Sequence, residues 1–189
     1  MPDQTDEKLV ELVKKGDDSA FGELMRRHVG AIFNLARQYA RNEEDIDDIV
    51  QESFFKAWKH IKRFDAKRSF RPWLYAIARN TALDYLKKRR ANSFSELDDA
   101  DNDLSFADTL EDSEPLQTEL FARKELAAEL DVVMEDLHPD HRGVLVMRYR
   151  EGLSFDEIAE TFDRPMNTVK SWHRRALLKL RDKLPHRKP

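Results

Sequence analysis

The chain has 189 residues, 40% of them hydrophobic and 37% charged, so it can form one domain or two small ones with modest cores. It contains no cysteine, which excludes disulfides and thiolate metal sites and fits a reducing compartment. The N-terminal residues are polar and acidic, unlike a signal peptide, and no apolar run approaches the ~20 residues that span a bilayer. We therefore expect a cytoplasmic protein without membrane insertion.

The formal net charge of -4 conceals a strong pattern of blocks along the chain. Residues 1–55 contain 13 acidic and 7 basic side chains, whereas residues 56–90 contain 2 and 12. Residues 91–141 contain 16 acidic and 2 basic side chains, and residues 142–189 contain 6 and 12. Two basic blocks separated by acidic surface predict two contacts with nucleic acid, although the whole chain is acidic.

The first predicted domain, residues 1–90, is a series of helices. Its first helix ends at Gly16, which suits a left-handed C-cap. Apolar residues then recur at helical spacing and predict a core formed by Phe21, Leu24, Met25, Ile32, Leu35, Ala36 and Tyr39. The acidic run at 43–45 suits the N-terminus of a further helix, in which we expect Phe54 and Trp58 to be packed inside.

The outer face of that helix carries Asp48, Gln51 and Glu52. Spacings of three and four residues place them side by side on one helix surface. The residues alone allow either a solvated surface or a docking site.

The segment that follows combines basic and aromatic side chains between Ile61 and Arg90. Positive charge can hold phosphates while exposed rings stack on unpaired bases, a combination typical of proteins that bind single-stranded DNA. The aromatic residues can instead be core, an alternative that fits Phe70 and Trp73 better than Phe64. Pro72 favours a helix beginning at this point.

Residues 91–120 contain ten acidic side chains and no basic one. With few branched apolar residues, this segment cannot bury enough surface to order itself. It is therefore predicted to be a flexible acidic linker between two domains.

The second predicted domain, residues 121–189, ends in a helix-turn-helix. Ser154 and Glu157 form a capping box at the start of a short helix, which a turn around Asp163 and Pro165 ends. The next helix carries a basic polar face, and such a helix enters the DNA major groove. An ordinary helical hairpin with a solvated basic face is the alternative. His138 and His141 flank a helix start and lack the further ligands that a metal site needs.

Two groups of motifs resemble the sigma-70 family of bacterial RNA polymerase sigma factors, in its extracytoplasmic-function group. Residues 48–54 (DIVQESF) and 70–80 (FRPWLYAIARN) resemble the family's N-terminal domain. Residues 153–159 (LSFDEIA) and 168–171 (TVKS) resemble its C-terminal promoter-binding domain. Both groups occur in the family's order and at roughly its spacing.

The resemblance implies an all-α initiation factor of two small helical domains, not itself an enzyme, with no cofactor and no metal. Its implied partners are core RNA polymerase, promoter DNA as duplex and as melted single strand, and an anti-sigma factor. Core polymerase would bind Asp48, Gln51 and Glu52. The residues implied for the minus-ten element are Phe64, Lys67, Arg68, Phe70, Arg71, Trp73, Tyr75, Arg79 and Asn80. Those implied for the minus-thirty-five element are Thr168, Lys170, Ser171, Trp172, Arg174 and Arg175.

The chain departs from the family pattern at several positions of the second domain. Asp163 and Asn167 stand where glycine is usual, and both residue types tolerate left-handed backbone. Trp172 replaces a common arginine and His173 a common aliphatic residue, so the resemblance does not imply which minus-thirty-five sequence this chain prefers. The alternative function is a stand-alone helix-turn-helix regulator, which leaves the Asp48 helix and the basic aromatic segment without a role. A hydrolase that uses paired carboxylates is a third, weaker alternative.

Overall fold

The computed structural model describes residues 4–93, 130 and 132–184, and within these ranges every regular element is helical. This confirms the predicted all-α class. The predicted linker at 91–120 lies outside the described residues except for 91–93, which belong to the last turn of a helix. We refer to the helices before residue 94 as the N-terminal group and to those after residue 131 as the C-terminal group.

The N-terminal group contains α1 (Asp6–Lys14), α2 (Asp18–Ala36), α3 (Glu43–His60) and α4 (Phe70–Ser93), with a 3-10 turn at Ile61–Arg63. Local capping explains the helix starts, since Thr5, Asp17 and Asn42 each accept a hydrogen bond from a backbone N–H of the first turn. Gly16, with φ of 97°, supplies the left-handed residue after α1 that the sequence predicts.

The C-terminal group contains α5 (Pro139–Leu145), a π-helical turn at Val146–Arg150, α6 (Phe155–Phe162) and α7 (Met166–Lys183). Pro139 occupies the first turn of α5, and Ser154 and Glu157 form the predicted capping box of α6. Asp163 ends α6 in the left-handed conformation, with φ of 49° and ψ of 51°, as expected for the residue that replaces a glycine. Helices α6 and α7 form the predicted helix-turn-helix.

The two groups pack directly against each other, with α4 lying against α6. One hydrophobic cluster extends from Leu35 and Tyr75 of the N-terminal group to Met147 and Phe162 of the C-terminal group. A smaller cluster, formed by Leu137, Leu145 and Ala176, lies within the C-terminal group. The sequence led us to expect modest separate cores, whereas the main core is shared.

Two core predictions are wrong. Met25 is 39% exposed on α2, and Trp58 is 52% exposed on α3. Each lies on a helix whose buried side is already filled by other apolar residues, such as Leu24 on α2 and Phe54 on α3. Helical spacing identifies a stripe of apolar residues, but only the packing partners set its width.

Candidate nucleic-acid interface

The outer face of α3 presents Asp48, Gln51 and Glu52 to solvent, and all three are exposed. We call these three residues the acidic face. Glu52 forms an ion pair with Lys56 one turn later, at 3.7 Å between nitrogen and oxygen. An exposed pair of this kind contributes little and breaks easily. The acidic face is therefore accessible to a basic partner.

Two large apolar side chains, Phe55 and Trp58, lie beside the acidic face and are 54% and 52% exposed. Residues 51, 55 and 58 are spaced by four and three, so they follow one another along a single stripe of α3. Aromatic side chains are enriched at the centres of protein interfaces. The sequence analysis did not predict that Phe55 and Trp58 are exposed, although their spacing from Gln51 places them on the outer face of the helix.

The aromatic residues before and at the start of α4 form a packed cluster. The ring centroids of Phe64 and Trp73 are 4.7 Å apart, and those of Phe70 and Trp73 are 5.6 Å apart. His28 contributes a fourth ring, 5.6 Å from Phe70. Phe64 is only 4% exposed, so the expectation that it is less buried than its neighbours is wrong. In this arrangement Phe64 supports the core, and Trp73, half-buried, is the more accessible ring.

The polar residues proposed for minus-ten recognition divide into two sets. Lys67 and Asn80 are exposed. Arg68, Arg71 and Arg79, which we call the arginine set, all form hydrogen bonds with the C-terminal group. Tyr75, fully buried, does the same.

Asp140, at the start of α5, is the most tightly held partner of the arginine set. Arg79 donates two hydrogen bonds to its carboxylate, at 3.0 and 2.8 Å. Tyr39 donates a third, at 3.1 Å. Burial alone would lower the pKa of Arg79, but the hydrogen bonds and charge of Asp140 raise it above its ordinary value. Arg79 therefore stays cationic at neutral pH.

Glu151 and Glu160 accept hydrogen bonds from Tyr75 and from the other two arginines of the set. The Tyr75 hydroxyl donates to Glu151 Oε2 at 3.0 Å, and Arg71 donates to the Glu151 carbonyl oxygen at 2.6 Å. Burial raises the pKa of Tyr75, and the Glu151 carboxylate raises it further, so the phenol remains a donor. Arg68 donates to Glu160 through Nε at 2.9 Å. We call Asp140, Glu151 and Glu160 the acidic triplet.

The helix-turn-helix presents a second basic surface. Lys170, Arg174 and Arg175 of α7 are exposed, while Thr168 and Ser171 are half-buried. Positive charge along one helix of this motif suits a DNA backbone. All six residues predicted for the minus-thirty-five element lie on α7.

Trp172 and His173 face neighbouring helices. Trp172 contacts the Phe162 ring edge-on, with centroids 5.6 Å apart, and lies 5.7 Å from His141. The Tyr149 hydroxyl and His173 Nε2 are 3.0 Å apart, and Phe155 contacts His173 edge-on at 5.1 Å. Trp172, which the sequence places among the residues expected at the minus-thirty-five element, therefore also supports the packing of the helix-turn-helix.

Within the described ranges, no group of three or more His, Asp or Glu side chains could hold a metal ion. No helix in the same part of the chain is long and apolar enough to cross a membrane.

Comparison with known proteins identifies the two groups. Residues 24–92 match the model of sigma-70 region 2, and residues 133–182 match that of sigma-70 region 4. The chain is 37% identical over 174 residues to the ECF RNA polymerase sigma-E factor of Haemophilus influenzae, covering 88% of both chains.

Two solved structures are similar over most of their length. The structure of CnrH in complex with the cytosolic domain of CnrY covers 94% of this chain and 95% of its own, with 29% identity and a TM-score of 0.65. The sigma factor RpoE of Bartonella quintana, in complex with the anti-sigma factor NepR, has a TM-score of 0.68 over 89% and 98% of the two chains. At 19% identity, the latter similarity concerns the fold alone. The matched regions and the sigma-E relative together show that this chain belongs to the sigma-70 family, in its extracytoplasmic-function group.

Proposed function

We propose that this protein binds core RNA polymerase, directs it to promoters with defined minus-ten and minus-thirty-five elements, and helps to open the duplex. One observation supports this most strongly: a single chain carries an exposed acidic face on α3 and two separate basic surfaces, within regions that match both sigma-70 models. It acts in the cytoplasm without enzymatic activity of its own. The most direct test is transcription in vitro with core polymerase on a promoter library.

The same test distinguishes a sigma factor from the alternative, a stand-alone regulator. A sigma factor binds free promoter duplex weakly and starts transcription when core polymerase is added. A regulator binds its duplex tightly alone and gives no transcript with core polymerase.

The acidic face of α3 is the proposed polymerase-docking site, and Phe55 and Trp58 extend it with apolar surface. Charges steer the encounter and set specificity, while buried aromatic side chains contribute most of the binding free energy. Asp48→Arg combined with Glu52→Arg should abolish capture of core polymerase in a pull-down, because two carboxylates become cations facing a basic partner. Circular dichroism should show unchanged helicity.

A matched control reverses two exposed acidic residues elsewhere in the N-terminal group, Glu11→Arg with Asp84→Arg. It makes the same change in net charge and should leave capture intact. Equal capture by both double variants would remove α3 as the docking site.

For the minus-ten element we propose that Asn80 contacts a base edge and that Lys67 and the arginine set hold the backbone. Trp73 is the proposed stacking ring, with Phe64, Phe70 and Tyr75 supporting it from within the core. Asn80→Ala should reduce open complex while closed complex forms normally, since contacts to an extruded base contribute about 1–3 kcal/mol each. Permanganate reactivity of minus-ten thymines measures this, and reactivity equal to wild type contradicts it.

For the minus-thirty-five element we propose a surface on α7 formed by Thr168, Lys170, Ser171, Arg174 and Arg175. Arg174 and Arg175 are adjacent, about 100° apart on the helix, so they cannot reach the same spot. A bidentate arginine contact to guanine gives about 1–3 kcal/mol of discrimination, whereas a phosphate contact only adds affinity.

Promoter selection with each arginine replaced by alanine tests this proposal. One variant should show a weaker preference for the upstream sequence. The other should keep that preference but bind DNA with lower affinity and a weaker dependence on salt concentration. If neither changes sequence preference or salt dependence, α7 is not the reading helix.

An anti-sigma factor is the remaining proposed partner. A similar solved sigma-factor fold, that of Bartonella quintana, is bound to one. In this chain Leu177 and Leu178, both 38% exposed on α7, offer apolar surface to such a partner.

A further inference from the structure

The loop between the 3-10 turn and α4 spans residues 65–69, and we call it the minus-ten loop. Its exposed residues include Lys67 and Arg68, which the proposed function assigns to the minus-ten element. Asp65 shapes the loop, because its carboxylate accepts from the Lys67 N–H at 3.0 Å and its carbonyl oxygen accepts from the Arg68 N–H at 2.9 Å. These local bonds fix the form of the loop, whereas its direction depends on what holds its two ends.

Helix α1 contacts both ends of the minus-ten loop. The Lys14 ammonium group donates a hydrogen bond to the carbonyl oxygen of Phe64, the residue before the loop. Glu7 Oε1 accepts from the backbone N–H of Phe70, the residue after the loop, at 3.4 Å. Glu7 and Lys14 are separated by two helical turns, so they lie on the same side of α1. A single helix therefore connects the entry of the loop with its exit.

Helix α1 is itself fixed on α2. Its inner side is buried and consists of Leu9, Val10 and Val13. The Asp6 carboxylate lies 2.6 Å from His28 Nε2 and accepts from Arg27 at 3.1 Å, and both partners belong to α2. The His28 ring in turn lies 5.6 Å from the Phe70 ring, measured between centroids. Because α1 is held along its length, it provides a fixed reference for the loop.

The two contacts are of a kind that holds a backbone in place. Lys14 and Glu7 are half-buried, and a charged partner makes a hydrogen bond stronger than a neutral one. The Phe70 N–H lies in the first turn of α4, where N–H groups have no partner within the helix and a carboxylate is favourable. Helix α1 precedes residue 24, at which the match to sigma-70 region 2 begins, so that match does not include these contacts.

We propose that α1 positions the minus-ten loop for promoter DNA, with Lys14 and Glu7 as the positioning residues. They hold the two ends of the loop, so that Lys67 and Arg68 meet the DNA strand in one fixed arrangement beside Trp73. A loop that is already ordered loses less conformational entropy when it binds. This inference rests on the proposed function, because it assigns the loop to the minus-ten element.

The first test uses full-length protein with core polymerase. Lys14→Met removes the donor but keeps an unbranched side chain, and Lys14→Arg keeps a charged donor. We expect Lys14→Met to lower open complex, measured by permanganate reactivity of minus-ten thymines at subsaturating protein, by at least about fivefold, since a charged hydrogen-bond donor is lost. Lys14→Arg should recover most of this loss. Capture of core polymerase should equal that of wild type for both variants.

Lys15→Met is the matched control, because Lys15 is the next residue along the chain and is exposed. It makes the same change in net charge and should leave open complex unchanged. Equal losses for Lys14→Met and Lys15→Met overturn the proposal. A parallel loss of polymerase capture in Lys14→Met also overturns it, because that result indicates general damage to the N-terminal group.

The other end of the loop is tested in the same way. Glu7→Met removes the acceptor, whereas Glu7→Gln keeps an oxygen that can accept from the Phe70 N–H. Glu7→Met should lower open complex and Glu7→Gln should recover it. Failure of both Lys14→Arg and Glu7→Gln to recover open complex overturns the proposal.

A second measurement reports the loop without DNA. Because the chain has no cysteine, a spin label can be attached at Lys67→Cys in the minus-ten loop. Its spectrum should show faster motion in combination with Lys14→Met but not with Lys15→Met, and equal spectra overturn the proposal. Open complex formed by wild type is scored separately. Its absence contradicts the proposed function, whereas the spin label tests the position of the loop independently of that function.

Discussion

Phe64 and Phe55 belong to the same group of helices but lie in opposite environments. Phe64 is 4% exposed and packs on Phe70 and Trp73, whereas Phe55 is 54% exposed on α3. The backbone carbonyl of Phe64 also accepts a hydrogen bond from Lys14 of α1. One ring therefore holds the loop before α4 in place, and the other remains available to a partner.

This difference predicts opposite effects on stability. Phe64→Ala should lower the free energy of unfolding by about 3–5 kcal/mol, because it leaves a cavity in a packed aromatic cluster. Phe55→Ala should change it by no more than about 0.5 kcal/mol. Urea unfolding of the full chain measures both, and similar losses for the two variants would place Phe64 outside the core.

His173 predicts a dependence of stability on pH. Burial lowers its pKa below the ordinary value of 6.5, and the neighbouring Arg148 cation lowers it further. The groups that face its ring are Tyr149, Phe155 and Arg148. As pH falls, the unfolded chain takes up this proton before the folded chain does. The stabilising contribution is therefore complete above pH 6.5 and is lost as pH falls through the lower, folded pKa.

We expect the melting temperature to fall between about pH 7.5 and about pH 5.5, and to fall less in His173→Leu. Burial and the neighbouring His138 also lower the pKa of His141, and this effect is the same in wild type and in the His173→Leu variant. An identical fall in wild type and variant would show that His173 does not titrate differently on folding.

At the scale of elements, α6 depends on its N-terminal capping box. The Ser154 hydroxyl accepts from the Glu157 N–H at 3.2 Å, and the Glu157 carboxylate accepts from the Ser154 N–H at 2.8 Å. A helix of only eight residues gains little from its own propensity, so its cap and its buried face determine whether it forms.

Ser154→Ala should therefore lower the free energy of unfolding by about 1 kcal/mol, within the range measured for N-cap replacements. The control is Ser171→Ala in the interior of α7, where serine has no capping role, with an expected change of no more than about 0.5 kcal/mol. Urea unfolding gives both values. Equal effects would show that the capping box contributes nothing.

At the scale of the whole molecule, the two groups share one hydrophobic cluster as well as the polar contacts of the acidic triplet. Val144 and Met147 of the C-terminal group are fully buried in it. Elements that share a core lose their packing together, so unfolding of one group exposes apolar surface of the other.

Calorimetry should accordingly show one cooperative thermal transition for wild type. The triplet variant Asp140→Asn, Glu151→Gln and Glu160→Gln should still show one transition, but at a lower melting temperature, because it loses the ion pairs of Asp140 and Glu160 while the shared apolar cluster remains. A single unchanged transition in that variant would show that apolar packing alone holds the groups together.

Local signals within a few residues were sufficient to predict the helices and their ends. Caps at Gly16 and Ser154 and the left-handed turn at Asp163 each depend on residues no more than four positions apart, and the structure confirms them. The acidic face of α3 could be predicted in the same way, since residues at spacings of three and four lie side by side on one helix surface.

Only the tertiary structure decided which apolar residues are buried and what the arginine set touches. Phe64 is buried and Trp58 exposed because of neighbours on other helices, and no helical period contains that information. Arg79 meets Asp140 61 residues later in the chain, and Arg68 meets Glu160 92 residues later. Such pairs depend on how two helical groups dock, and the charge blocks of the sequence predicted two basic surfaces without predicting that arginines of one would pair with acidic residues of the other group.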